Sequence, residues 1–189
     1  MKKLTIVIIP CILFLFIMRC EQQGGGESEM LSEKIQQFVS TEINFDASLL
    51  DERQNKVVEN LYEAAKIMDE IFLDQVYSEN YRIRDELKAS DIEEHKLKLE
   101  LFTIMFGPFD RLEHDKPFIG TEEKPLGANY YPEDMTNEEF EQWIKDNPDD
   151  EKAFTSEFTV IRRDGDKLVA IPYSEFYKEK LTEAANYLK

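Results

Sequence analysis

The chain has 189 residues, enough for one domain plus a targeting segment, and its 40 acidic against 23 basic residues give a net charge of -17. So acidic a surface repels phosphate backbones, which excludes nucleic acid as a partner, and its ordinary role is solubility. Cys11 and Cys20 are the only cysteines, both near the N-terminus, so the folded part has no disulfide or thiolate metal site and stands on its own core.

Met1-Lys2-Lys3 is a basic start, and Leu4 to Met18 is an apolar run of secretory length, short for a membrane span and interrupted by Pro10. Arg19-Cys20 and a polar, Gly-rich stretch follow. The arrangement resembles a bacterial lipoprotein signal over residues 1–19, with Cys20 as the lipidated new N-terminus and 20–30 as a flexible tether. Arg19 departs from the small residue preferred before cleavage, so an uncleaved anchor and ordinary secretion stay open. All three place the chain outside the cytosol, in the cell envelope or periplasm. Removing 1–19 takes away Lys2, Lys3 and Arg19 and no acid, leaving 20 basic against 40 acidic residues.

Ser32 to Thr41 reads as a short helix. Ser48 with Asp51 resembles a capping box before a helix of about 28 residues, in which Leu50, Val57, Leu61, Ala64, Met68 and Ile71 recur at three-to-four spacing and are expected to pack on a core. Asn80 to Ala89 is a second helix. A third runs to Met105, with Ser90 and Glu93 as a further capping box and Gly107-Pro108 as its stop.

Phe106 to Thr136 contains four prolines and three glycines, so it is neither a long helix nor a central strand. It also carries Phe106, Phe109, Leu112, Phe118, Ile119, Leu126, Tyr130 and Tyr131, too much apolar surface for a disordered linker. Ordered irregular segments of this length are usually functional. Thr136 caps the next helix, with Glu139 reaching back and Met135 stapled on Phe140. That helix extends to about Asp146, and Asn147 to Asp150 is a turn.

Phe158–Arg163 and Asp166–Tyr173 flank Asp164-Gly165 and predict a hairpin with Arg163 opposite Asp166 and Ile161 opposite Leu168. Val160, Val169 and Ile171 then share one face and Ile161 and Leu168 the other, so the hairpin belongs to a covered sheet. Ser174 to Leu188 closes as a helix. The fold class is α+β, mainly helical, with a small antiparallel element at about 157–173.

The residues assemble no catalytic set. His95, among charges, is expected in solvent. His114 beside Asp110, Glu113 and Asp115 lacks the spacing of a zinc site, and Asp110-Arg111 is expected to form a local ion pair pinning the loop. The acidic pairs Glu122-Glu123, Glu133-Asp134 and Asp149-Asp150 lack an EF-hand pattern and read as surface charge or caps. Asn129, Tyr130 and Tyr131 are the candidate contact surface, since aromatics with a two-way amide can line a peptide groove. The competing reading is that the two tyrosines cover the core.

FGPFDRL, HDKPFIG, EKPLGANYYPEDMTNEEFEQWI and FTVIRRDGDKLVAIPYSEFYKEKLTEAA, in that order, resemble the N-terminal part of bacterial relatives of the dipeptidyl peptidase III family over roughly Phe38 to Lys189. Its members are zinc-dependent metallopeptidases with two lobes around a peptide cleft, whose HExxGH helix and second glutamate helix lie far downstream of this region. Neither motif occurs here, so no zinc ligand or catalytic residue transfers to any position. The resemblance implies that 31–189 is part of an N-terminal lobe and a fragment inactive alone. It also implies that Asn129, Tyr130 and Tyr131 face bound short peptides, and that zinc belongs to the full-length family. The alternative is a free-standing acidic lipoprotein that binds peptide or protein without catalysis.

Overall fold

The computed structural model describes residues 23–189, so the expected leader, its cleavage point and Cys20 lie outside the described residues. The elements in chain order are α1 (Gln23–Ile35), a 3-10 turn (Ala47–Leu49), α2 (Glu52–Val76), α3 (Asn80–Lys88) and α4 (Glu93–Met105). They continue with β1 (Phe109–Asp110), β2 (Lys116–Pro117), α5 (Asn137–Asp146), a 3-10 turn (Pro148–Asp150), α6 (Glu151–Phe154), β3 (Thr159–Asp164), β4 (Lys167–Pro172), α7 (Tyr173–Phe176) and α8 (Lys178–Tyr187). This is the expected α+β class: mainly helical, with two two-stranded antiparallel sheets, β1–β2 and β3–β4.

The first helix lies earlier than the sequence predicts, and the stretch read as a tether over 20–30 is helical from Gln23. Glycines there disfavour a helix, but docking outweighs propensity. Leu31 is fully buried with Leu101 and Met105 of α4, Lys98 reaches Glu27 at 2.7 Å, and Lys34 reaches Asp110 at 2.5 Å.

Helix α2 is capped by Asp51 rather than Ser48. The Gln54 amide donates to the Asp51 carboxylate at 2.8 Å, and the Asp51 amide donates to the Gln54 side chain at 2.9 Å. Ser48 instead donates through its amide and hydroxyl to Asp46, a local Asx-type bond that competes with capping. The core-facing stripe is also narrower than the periodicity suggests. Ala64, Ile71, Leu73 and Val76 are buried, but Val57, Leu61 and Met68 are exposed. The Ser90–Glu93 box does not form either: Ile92 occupies the N-cap, without a side-chain cap.

Thr136 caps α5 as expected, accepting from the Glu139 amide at 3.1 Å, and Met135 packs with Phe140. Glu139 turns away to Arg163, with N–O distances of 2.8 and 2.9 Å, because an ion pair across to β3 outweighs the reciprocal cap. The register of β3–β4 differs too: Asp164 pairs with Lys167, Arg163 with Leu168 and Ile161 with Ala170. The turn is therefore Gly165-Asp166, with Gly165 at φ 59°, the left-handed first position that favours glycine in a two-residue hairpin. Opposite partners move by two residues, one full side-chain period, so the predicted faces survive.

Both faces of the hairpin are covered. Val160 packs with Ile71 of α2 and Tyr177, while Ile161 and Leu168 pack with Met135 and Phe154 under Phe140, Trp143 and Tyr131. The last predicted helix is broken at Tyr177 (φ -103°, ψ 23°) into α7 and α8. There the buried ring joins the α2–β3 cluster.

Candidate functional site

The irregular stretch is anchored on the C-terminal end of α2. A helix leaves its last carbonyls without intrahelical partners, and here asparagines supply donors. The Asn80 side chain donates to Leu73 O at 2.7 Å, the Asn129 side chain to Asp74 O at 2.9 Å, and the Asn129 amide to Gln75 O at 3.0 Å. Asn129 is thus a cap delivered from 53 positions beyond the helix end, and at 8% exposure it is a buried polar residue.

Its other side faces Arg162. The guanidinium donates to Asn129 Oδ1 at 2.8 Å, to Asn129 O at 3.0 Å and to Ile161 O at 2.8 Å, and lies 4.8 Å from the Phe176 ring centroid. Arg162 takes no part in the ion pairs found among the described residues, and burial lowers its pKa. Asp74 then receives the Tyr177 hydroxyl at 2.9 Å. Burial, followed by the Asp74 charge, raises the Tyr177 pKa far above the ordinary phenol value, so it stays a proton donor.

Tyr130 and Tyr131 are half-buried. The Tyr130 carbonyl accepts from the Ile161 amide at 2.7 Å, tying the loop to β3, and its hydroxyl lies 3.3 Å from Gln75 Oε1. The Tyr131 hydroxyl donates to Phe154 O at 2.7 Å, its ring packs edge-on to Phe140, and Gly127 lies against it. Burial raises the pKa of both, and Tyr173 is pushed up to about 12, chiefly by burial. The structure thus brings Asn129 and Tyr130 together with Asp74, Arg162 and Tyr177, residues the sequence does not single out, whereas Tyr131 packs with Phe154 and Phe140 on the other face of the hairpin. One signal was available: Arg162 shares its strand face with buried Val160 by the period of two, an unusual place for a cation.

The arrangement offers fixed donors and acceptors on a rigid frame, suited to binding and positioning. Among the described residues no group of three or more His, Cys, Asp or Glu is placed to hold a metal ion. His114 is exposed, with φ 56°.

Two neighbouring expectations change. Asp110 pairs with Lys34, not Arg111, and Arg111 instead lies 5.4 Å from the Phe72 ring centroid. Burial pushes the Asp110 carboxyl up, but Lys34 and the amides of Leu112 and Glu113 outweigh that and hold it below the ordinary range. His95 is half-buried rather than solvated. Its Nδ1 is buried without a protein partner, beside a cleft of about 310 Å³ lined by Tyr77, Pro108, Phe109 and Ile119.

No protein-family model matches the sequence. The solved structures similar to it are peptidases. Specifically, the chain is similar to part of dipeptidyl peptidase III. It is 70% identical to the Caldithrix abyssi protein with a TM-score of 0.82, covering 84% of this chain and 30% of that one. It is 33% identical to the protein of Corallococcus sp. strain EGB with a TM-score of 0.81, covering 85% and 30%. The resemblance carried by the four sequence segments is borne out. The chain is also 28% identical to Nudix hydrolase 3 of Arabidopsis thaliana, over 90% of its own length and 29% of that protein. It therefore spans about three tenths of the relatives it matches.

Proposed function

We propose that this chain is the non-zinc portion of an exported dipeptidyl peptidase III-like hydrolase, forming part of the wall of its peptide cleft and inactive by itself. What supports the reading is the 70% identity to a dipeptidyl peptidase III over 84% of the chain. The 28% match to a protein named for another hydrolysis is weaker and equally partial. Asn129, Tyr130 and Tyr131 serve the cleft by presenting a pre-set loop. Asn129 is held by α2 and Arg162, and the half-exposed tyrosine faces are left to meet a short peptide. Preorganisation of this kind lowers the entropy lost on binding. Zinc and its chemistry belong to residues other than those of this chain.

The purified 189-residue protein is expected to release no dipeptides from short peptides. Release that is abolished by a chelator would overturn the inactivity. Export with a lipid on Cys20 is part of the same reading, motivated by the basic start, the apolar run and the polar stretch that follows. Mass spectrometry of the membrane fraction should find a lipidated Cys20 at the N-terminus, and an unmodified Met1 would sink that part.

A further inference from the structure

The docking of α1 fixes where the chain ahead of it can go. Glu27 on α1 meets Lys98 of α4 at 2.7 Å, Leu31 is fully buried with Leu101 and Met105, and Lys34 meets Asp110, just past α4, at 2.5 Å. Contacts that advance together along both helices mean that α1 and α4 run in the same direction, so their N-terminal ends lie side by side. Beside them is the connection 89–92 that leads from α3 into α4. It ends on Ile92, the N-cap of α4 and an apolar side chain that is 58% exposed. The 13 residues of α4 span about 20 Å, and the β1–β2 hairpin with His114 between its strands stands at the other end.

Ahead of α1 there is little chain. The apolar run ends at Met18, and Cys20 precedes Gln23, the first residue of α1, by three positions. Three fully extended residues reach no more than about 11 Å. A flexible tether over 20–30 would have let the body turn freely about its attachment point, whereas a helix docked from Gln23 leaves almost no slack. Charge agrees with close approach at this end. Residues 88–98 hold Lys88, Lys96 and Lys98 against Asp91, Glu93 and Glu94, a balanced set to which Glu27 adds one acid. The chain as a whole carries 40 acidic against 20 basic residues once 1–19 are removed, so anionic lipid repels this end far less than the rest of the body.

We infer that the end of the fold formed by the start of α1, the connection 89–92 and the first turn of α4 rests against the lipid surface, with Ile92 at headgroup level and the β1–β2 hairpin held away from it. A lipid on Cys20 then sets the orientation of the whole body as well as its location, and an exposed apolar side chain gains from the interface it meets. The inference rests on the lipid-anchor part of the proposed reading and not on the peptidase part.

The test uses the full chain recovered from bacterial membranes and reconstituted in vesicles of phosphatidylethanolamine and phosphatidylglycerol with nitroxide-labelled headgroups. Ile92→Cys and His114→Cys each receive a fluorescent thiol label, with Cys11 changed to serine and the chain without a new cysteine as the background. Quenching at 92 should be at least fivefold stronger than at 114, and equal quenching would overturn the inference. A 20-residue Gly-Ser insertion between Gln22 and Gln23, with a reach of roughly 25 Å, should keep the protein on the vesicles and abolish the difference. A difference that survives the insertion would overturn the argument from chain length.

Mass spectrometry of the same sample separates the two possible failures. A lipid on Cys20 with equal quenching sinks the orientation alone, whereas a soluble protein with an unmodified Cys20 sinks the anchor and the orientation with it. An uncleaved chain that stays in the membrane and shows the 92-over-114 difference would sink the lipid but support the orientation, since Met18 lies only five positions ahead of Gln23.

Discussion

Replacing Asn129 by alanine tests the central claim about the loop. The substitution removes the donor to Asp74 O and the acceptor for Arg162, but leaves both backbone contacts, to Gln75 O and from Arg162 to Asn129 O. A buried carbonyl left without a donor costs about 1–3 kcal/mol, and losing a bond to a charged group about 1.5–3 kcal/mol. Because Asn129 is 8% exposed, water replaces the amide poorly, and about 3 kcal/mol is the expected loss. At about 2–4 °C per kcal/mol for a chain of this size, the Tm should fall by about 6–12 °C. Differential scanning calorimetry measures it directly. Asn129→Asp should fall between wild type and alanine, since it keeps an acceptor for Arg162 while losing the donor to Asp74 O. A drop of less than about 2 °C for Asn129→Ala would show that the asparagine does not hold the loop, and the account of the site would fail.

Gly127→Ala should destabilise by about 1–3 kcal/mol, the usual cost of overpacking, because a new Cβ would lie 2.8 Å from the Tyr131 Cβ and 2.9 Å from its ring. An unchanged urea midpoint would show that the loop has room there. Stability should also respond to pH through Asp110, whose folded pKa lies below its ordinary value of 3.8. The unfolded state therefore takes up a proton first as pH falls. The contribution is fully present above 3.8 and is lost as pH drops from there through the lowered folded value. In Asp110→Asn that acid-side loss should shrink, and pH–stability curves of the two proteins that run parallel would refute the assignment.

Much of this protein was fixed locally and could be read from residue order. The third and fifth helices, the Thr136 cap, the Met135 staple and the two faces of the β3–β4 hairpin follow from periodicities and caps that act within a few residues. The Asp164-Gly165 signal located the hairpin but not its register, since Gly165 was equally able to take either turn position. Tertiary structure decided the rest, because the deciding partners are distant in the chain. Leu31 and Lys34 pull a glycine-bearing segment into a helix through Leu101 and Asp110, and Asp110 leaves its neighbour Arg111 for Lys34. Asn129, a candidate from sequence for touching a peptide, caps a helix that ends at Val76 and meets an arginine on β3. No local pattern encodes those encounters; they exist only once α2, the loop and the hairpin are packed together, since a buried carbonyl or guanidinium takes whatever partner the fold brings within reach.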